Sequence, residues 1–239
     1  MRKRVAIISN LCIVCVLVGL GVAVFTTDLS RVFLSVGAPV YNGNRDGNKV
    51  SLMFVVEDDA RYVPDIMQKL KDNDAGATFF VGGKWASSNR TLTMDIARNF
   101  EIANHAYNNT NLAKLKQAEQ QKEIQNCHSL VKAITASAPL DIEQGNKAAS
   151  GTDMKLFSPP LGSFNKNTLK SAERIGYKTV IWSREATETS IFDKATNGVS
   201  SGDLVLMRPA AATLGALQNI LDEYARLGFS VVKVSDNIG

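Results

Sequence analysis

The sequence predicts an α/β fold, a barrel of parallel strands, behind an N-terminal transmembrane helix. Strand-like and helix-like segments alternate from residue 49 to residue 239, which is typical of a parallel sheet covered by helices. The number of these units favours a barrel over an open sheet. A run without charges at residues 5–25 is long enough to cross a membrane, which takes about 20 residues.

The N-terminal part of the chain is predicted to anchor the barrel. Basic residues precede the apolar run, so the positive-inside rule places residues 1–4 in the cytoplasm. Residues 26–48 are rich in Gly, Asn and Asp and are predicted to form a stalk. A cleaved signal peptide is the alternative, but its apolar region is usually shorter, and no Ala-x-Ala site follows this one. We therefore expect a single-pass cell-membrane protein with an extracellular domain at residues 49–239.

Composition excludes several classes of function. The formal net charge is +4, and residues 2–4 carry three of these charges, so the rest of the chain is close to neutral. A nearly neutral domain lacks the positive electrostatic potential that attracts nucleic acid, so we expect no nucleic-acid binding. Cys12 and Cys15 lie in the predicted anchor, and the chain has too few cysteines for a disulfide scaffold. Cys127 is predicted to be a small core residue of its helix.

The strands are predicted from short apolar runs that end at turn residues. Their ranges are 50–56, 77–81, 101–107, 154–157, 177–183, 203–207 and 229–234. The run at 50–56 does not alternate between apolar and polar residues, so this strand is predicted to be buried on both faces.

Helical periodicity fills the intervals between these strands. The predicted helices start at Pro64, near Leu92, near Thr110 with Asn109 or Thr110 as N-cap, at Asn167, near Phe192 and near Leu214. His128 lies beside the buried stripe of the helix that starts near Thr110, and it has no acid or thiol four residues on. It is therefore predicted to be a packed side chain rather than a ligand. Residues 136–153 are predicted to form a long surface loop.

The ends of the strands are the place to look for chemistry in an α/β barrel. His105 closes the strand at 101–107 and is the better placed of the only two histidines. The other residues that follow strands are 55–59, Gly82, Trp85, Asn109, 158–160, Trp182, Ser183 and Arg208. These residues form the candidate site.

Five segments near these strand ends carry a resemblance to a known family. They are Ala-Thr-Phe-Phe-Val-Gly-Gly at 77–83, Glu-Ile-Ala-Asn-His at 101–105, Ser-Pro-Pro-Leu-Gly at 158–162, Ile-Gly-Tyr-Lys-Thr-Val-Ile-Trp-Ser at 175–183 and Gly-Asp-Leu-Val-Leu-Met at 202–207. In this order they resemble the polysaccharide deacetylase family, the NodB homology domain of carbohydrate esterase family 4. The resemblance implies an irregular barrel, extracellular placement, and metal-dependent removal of acetyl groups from amino sugars of chitin-like polymers or peptidoglycan.

The residues that carry this chemistry in the family are mostly replaced. Val55 and Val56 stand where the family has two aspartates, a catalytic base and a metal ligand. Of the family's two metal-binding histidines, His105 remains, and Asn109 stands at the other position. Arg208 stands at the position of the histidine that acts as general acid. The third motif's arginine falls at Ser158, and the fourth motif's Asp-Trp pair falls near Glu188 and Thr189.

Elementary chemistry indicates that this mechanism is lost. It needs three histidines, and the chain has two. An Asn offers zinc only a neutral amide oxygen, and an arginine keeps its proton near neutral pH and cannot act as a general acid. The positive charge of Arg208 would also repel a divalent ion, at a cost on the order of several kcal/mol. Because an unpaired guanidinium at the barrel mouth is costly, we expect Arg208 to pair with Glu57, Asp58, Asp59 or Glu188.

Three hypotheses for function follow. The leading one is a membrane-anchored deacetylase-like protein that has lost catalysis, needs no cofactor, and binds a cell-wall glycan, either peptidoglycan or a chitin-like polymer. Its predicted glycan-binding residues are Asp58, Asp59, His105, Asn109, Pro159, Pro160, Trp182, Glu188 and Arg208. The alternative is an active N-deacetylase with a rearranged site, in which Asp58 or Asp59 joins His105 and Glu188 around zinc or another divalent metal. The third is a structural factor of the cell envelope, for which a filled rim is expected in place of an open aromatic groove.

Overall fold

Among the residues that this computed structural model describes, 37–136 and 152–239, eight parallel strands form one sheet. They are β1 (Lys49–Val56), β2 (Ala77–Val81), β3 (Glu101–Asn104), β4 (Leu156–Phe157), β5 (Lys178–Thr179), β6 (Arg184–Glu185), β7 (Leu204–Met207) and β8 (Ser230–Val231). The spatial order is β5-β4-β3-β2-β1-β7-β6, and β8 pairs with the start of β1. The predicted parallel α/β architecture is confirmed. Because β5 and β6 lie at opposite ends of this order, the predicted barrel is a half-barrel.

Helices cover the outer face of the sheet and connect its strands. In the described part of the chain they are α1 (Val63–Asp72), α2 (Gly83–Ser88), α3 (Arg90–Asn99), α4 (Gln117–Ala136), α5 (Lys166–Arg174), α6 (Ile191–Thr196), α7 (Ala211–Arg226) and α8 (Val234–Ile238), with 3₁₀ turns at Leu112–Lys114 and Pro160–Gly162. The helical connections keep neighbouring strands parallel, so the strands' C-terminal ends meet at one rim of the half-barrel.

Alternate residues of the strands pack into two apolar clusters. Phe54 and Val56 belong to a cluster that they share with the helices. Met53 and Val55 belong to a second cluster, made almost entirely of strand residues, which we call the interior cluster. Since side chains of a strand alternate between its faces, β1 is buried on both faces, as predicted. Cys127 of α4 is also fully buried, as predicted.

Several predicted strand boundaries were wrong where the chain turns at the rim. The strand predicted at 101–107 ends at Asn104, because Ala106 has a φ of +59° and donates its backbone N–H to the Asn104 side chain. The segment predicted as one strand at 177–183 contains only β5, and β6, which pairs with β7, follows it. The last predicted strand is shortened to β8, and α8 follows it.

The long helix also starts later than predicted. α4 begins at Gln117 rather than near Thr110, and a 3₁₀ turn precedes it. The backbone N–H and the side-chain amide of Asn108 both donate to the Glu123 carboxylate, at 2.8 and 2.9 Å. This pair of bonds holds the segment before the helix as a loop against it, so neither Asn109 nor Thr110 is its N-cap.

The compact unit that carries the sheet begins at Ala38. Val40 pairs with Val180 beside β5, and the backbone N–H of Gly43 donates to the carbonyl of Gly202 at 2.7 Å. The last part of the predicted stalk therefore packs on the domain.

The predicted membrane anchor, residues 5–25, lies outside the described residues. Residues 26–36 of the predicted stalk and 137–151 of the predicted loop also lie outside them. Within the two described ranges, no helix has both the length and the apolar character needed to cross a membrane. The anchor remains a prediction from the sequence.

Replacing Gly202 with alanine is expected to destabilise the domain by about 2 kcal/mol or more. Gly202 has a φ of +83°, and an added Cβ would lie 2.7 Å from the backbone oxygen of Gly43. Gly228→Ala is the matched control, since Gly228 has a φ of +80° but nothing within 4 Å of the added atom. Chemical denaturation should show that Gly202→Ala lowers the free energy of unfolding more than Gly228→Ala does. Equal losses would mean that the contact with Gly43 contributes nothing.

Candidate functional site

Three polar side chains that the sequence places after different strands meet at the rim. Glu57 follows β1, His105 follows β3 and Arg208 follows β7. The Arg208 guanidinium forms an ion pair with Oε1 of Glu57, and Nε2 of His105 lies 3.5 Å from Oε2 of Glu57. The predicted ion pair of Arg208 is thereby confirmed, with Glu57 as its partner. We call these three residues the mouth triad.

The alternation of the strands explains why the mouth triad assembles. Val55, Ala103 and Leu206 belong to the interior cluster, and each member of the triad follows one of them by two residues. Side chains two residues apart on a strand point to the same face. β2 lies between β1 and β3, but it is followed by Gly82, which has no side chain to separate the triad.

The mouth triad is mostly withdrawn from water. The side chains of Glu57 and His105 are 4% and 2% exposed, whereas that of Arg208 is 38% exposed. Burial alone raises the pKa of Glu57, but His105 and Arg208 together outweigh burial and hold this pKa below its ordinary value. Glu57 is therefore ionised at neutral pH, and Arg208 compensates its charge.

A buried hydrogen-bond network supports the strand end that carries His105. The Asn104 side-chain amide donates to the carbonyl of Ile124 at 2.9 Å and to the Tyr177 hydroxyl at 3.0 Å. The same hydroxyl lies 2.7 Å from Nδ1 of His128. Burial lowers the pKa of His128, which favours its neutral form. His128 is thus a packed helical side chain, as predicted, and it belongs to a structural network.

A cavity of about 410 Å³ lies beside the mouth triad. We call it the side cavity. Its lining is Glu57, Asp58, Gly82, Lys84, Trp85, Ser88, Asn89, Tyr107, Asn108 and Asn109. Amide, hydroxyl and carboxylate groups dominate this list, and Tyr107 adds an aromatic ring that is partly exposed. Such a lining suits a ligand with many hydroxyl groups, because each needs a hydrogen-bond partner when water is displaced.

Three of the four predicted acidic residues are not part of the mouth triad. Asp59 is exposed and pairs with Arg61 at 2.7 Å. Glu188 is also exposed, has a φ of +64°, and is not the acid that pairs with Arg208. Asp58 is exposed and lines the side cavity, so it is the one of these acids that lies next to Glu57 in a concave site.

The remaining predicted site residues shape the rim. Pro159 and Pro160 are buried, so they set the backbone of the rim rather than offer a contact surface. Trp182 is partly exposed, and its ring lies so close to Gly162 that a Cβ there would be 2.7 Å from it. Asn109, in contrast, is exposed in the side cavity.

Sequence reasoning missed the central position of Glu57, although it named this residue as one possible partner of Arg208. The signal was the spacing of two from Val55, which continues the inward face of β1 beyond its last residue. It also missed Lys84, Asn89 and Asn108, which line the side cavity from α2, from the turn after it and from the loop after β3. No motif marks these three residues.

A family model described as polysaccharide deacetylase matches residues 42–180, which is more than half of the chain. The chain belongs to the polysaccharide deacetylase family.

The chain is similar to the following three proteins. YlxY, an uncharacterized protein of Bacillus subtilis (strain 168), is 25% identical over 205 residues, covering 83% of this chain and 60% of that protein. A peptidoglycan-N-acetylglucosamine deacetylase of Bacillus cereus is 27% identical over 202 residues, covering 78% of this chain and 86% of that protein. Wild-type BA3943 of Bacillus anthracis, described as a CE4 family pseudoenzyme, superposes with a TM-score of 0.75 at 26% identity, covering 86% of this chain and 70% of that one. A BA3943 mutant with restored enzymatic activity gives a TM-score of 0.75 as well.

The donor set at this rim does not fit the metal that the polysaccharide deacetylase family implies. Val55 and Val56 are buried apolar residues, and Asn109 offers only an amide. Glu57 is close enough to His105 to share an ion, but its other oxygen is paired with the Arg208 cation. Among residues 37–136 and 152–239, no three His, Cys, Asp or Glu side chains form a group that could hold a metal. A divalent ion here would have two ligands and an adjacent positive charge.

Proposed function

We propose that this chain is a membrane-anchored, extracytoplasmic polysaccharide deacetylase-like protein that binds a peptidoglycan-type glycan without deacetylating it. One observation carries the proposal. At the rim where the family needs a metal and a general acid, Arg208 neutralises Glu57 beside a lone imidazole. A guanidinium cannot release a proton near neutral pH, so this centre lacks an acid for the leaving amine.

Two further features support binding of a glycan. The side cavity has a polar lining and a volume of about 410 Å³, within the usual range of small-ligand sites, about 300–1,000 Å³. The B. cereus relative is named for an action on peptidoglycan, and BA3943 is a pseudoenzyme with a similar fold. The membrane placement rests on residues 5–25 alone.

Binding can be tested by cosedimentation of the purified full chain with insoluble peptidoglycan and with chitin. The chain is expected to cosediment with peptidoglycan, and Asn109→Ala, in the side cavity, is expected to weaken binding several-fold. Asn99→Ala is the matched control, because Asn99 is exposed but does not line the side cavity. A chain that stays in solution with both polymers would contradict glycan binding and favour a purely structural role at the envelope.

Catalysis is tested separately, by measuring acetate release from peptidoglycan and from acetylated chito-oligosaccharides with zinc, cobalt or manganese supplied. We expect no release above that of the buffer. Turnover that disappears in His105→Ala would overturn the proposal that the reaction is lost.

One observation favours an active hydrolase as the second candidate. A carboxylate, that of Glu57, lies 3.5 Å from the His105 imidazole, a distance at which a small rearrangement would let both groups act on one water molecule. The alternative predicted from the sequence assigned this role to Asp58 or Asp59, whereas Glu57 is the carboxylate that lies 3.5 Å from the imidazole. If this candidate is correct, Glu57→Gln and His105→Ala will each abolish acetate release.

A further inference from the structure

The side cavity contains two opposite charges that no other residue neutralises. Asp58 follows β1, and Lys84 lies in the first turn of α2. Among the described residues, neither side chain has an ion pair or a hydrogen bond, and they do not pair with each other. The third charged residue of the lining, Glu57, is already compensated by Arg208.

The next acid along the chain is placed differently from Asp58. Asp59, the next residue after Asp58, lies outside the lining and is neutralised by Arg61 at 2.7 Å. In the side cavity the two charges share a concave space with Ser88, Asn89 and other polar groups. An unpaired acid and an unpaired base in one cavity complement a ligand that has separate positive and negative groups.

Resting on the proposed glycan binding, we infer that the side cavity binds an amino sugar with both a free ammonium group and a free carboxylate group. Asp58 is the counter-ion of the ammonium, and Lys84 is the counter-ion of the carboxylate. In peptidoglycan this chemistry belongs to muramic acid that has lost both its acetyl group and its stem peptide, because the peptide otherwise holds the carboxylate as an amide. The protein would then recognise the product of a deacetylation rather than its substrate.

The alternatives leave a charge without a partner. An N-acetylated sugar has a neutral amide where Asp58 offers a carboxylate. A glucosamine unit satisfies Asp58 but brings its positive charge into the same cavity as Lys84. Discrimination of this kind arises as much from the unpaired charge in the wrong complex as from the ion pair in the right one.

Four monosaccharides test the inference, because they combine the two charges independently. They are muramic acid, N-acetylmuramic acid, glucosamine and N-acetylglucosamine. Dissociation constants are measured by saturation-transfer difference NMR with the full chain. Each partly exposed ion pair is worth roughly two- to fivefold in affinity. Muramic acid is therefore expected to bind best, N-acetylglucosamine worst, and the two singly charged sugars between them.

Matched variants assign each charge to its residue. Asp58→Asn is expected to weaken only the two sugars with a free amine, and Lys84→Gln only the two with a carboxylate. Asp65→Asn, at an exposed acid of α1 that does not line the side cavity, is the control and is expected to change none of the four constants. Equal affinities for all four sugars, or the same loss of affinity in Asp65→Asn as in Asp58→Asn, would overturn the inference.

The two proposals fail in different ways. Cosedimentation with peptidoglycan but no preference among the monosaccharides would remove the inference and leave glycan binding in place. If the chain neither cosediments with peptidoglycan nor distinguishes the monosaccharides, both the proposed glycan binding and this inference are wrong.

Discussion

Replacing Arg208 with methionine is expected to destabilise the domain by about 1–3 kcal/mol at pH 7. Methionine keeps the apolar part of the side chain but leaves the Glu57 carboxylate, 4% exposed, without its cation. Breaking a buried ion pair by removing one partner usually costs about 3–5 kcal/mol. We expect less here, because the Arg208 side chain is 38% exposed and water screens part of the interaction. Denaturant unfolding of both proteins measures the difference.

The stability that Arg208→Met loses should depend on pH in a defined direction. The pKa of Glu57 is held below its ordinary value of 4.5 in the folded protein. A carboxyl group of this kind contributes stability above pH 4.5, and that contribution is lost as the pH falls through the folded-state pKa. The gap in unfolding free energy between wild type and Arg208→Met should therefore be full at pH 7 and should narrow below pH 4.5.

Two further variants separate the ion pair from a general loss of charge. Glu57→Gln combined with Arg208→Met removes both charges and is expected to recover most of the lost stability. Arg61→Met removes an exposed cation that pairs with Asp59, and it is expected to change stability little. If Arg208→Met unfolds at the same denaturant concentration as wild type, the ion pair contributes nothing to stability. The observation that carries the proposed function, the neutralisation of Glu57 by Arg208, then loses its physical basis.

The elements whose sequence pattern is local could be predicted from the sequence. β2 has the predicted bounds of residues 77–81, and β7 differs from its prediction by one residue. Both strands are short apolar runs that end at polar or turn residues, so burial and chain direction specify them together. The errors lie at the rim, where side chains hold the backbone. The turn at Ala106 depends on Asn104, and the late start of α4 depends on Glu123 binding Asn108. Such bonds leave no periodic signal.

The candidate site could be predicted only in part. That Arg208 pairs with an acid follows from the cost of an unpaired guanidinium, but four acids were possible. Glu57 is the partner because it continues the inward face of β1 past the last residue of that strand. The alternation of side chains predicts this only if the backbone stays extended beyond the strand. Glu188, another of the four, is not the partner, and it has a positive φ and an exposed side chain. The side cavity could not be predicted, since three separate segments form it.

Replacing Asn104 with alanine is expected to destabilise the domain by about 2–4 kcal/mol. The side chain is fully buried, donates to Ile124 and Tyr177, and accepts the backbone N–H of Ala106 at 2.8 Å. Alanine leaves a void and removes every one of these bonds. The turn at Ala106 would lose its support, so the adjacent His105 should also move. Denaturant unfolding measures the first effect, and the NMR signals of the His105 imidazole measure the second.

The size of this effect distinguishes a network from a single hydrogen bond. Tyr177→Phe removes only the hydroxyl that joins Asn104 to His128, and it is expected to cost less, about 1–2 kcal/mol. Asn99→Ala, at an exposed position with one bond to Asp95, should stay within about 0.5 kcal/mol of wild type. If Asn104→Ala costs no more than Tyr177→Phe and leaves the His105 signals in place, the support of the rim comes from apolar packing alone. A larger cost with shifted His105 signals would show that the rim of this domain keeps its geometry through Asn104.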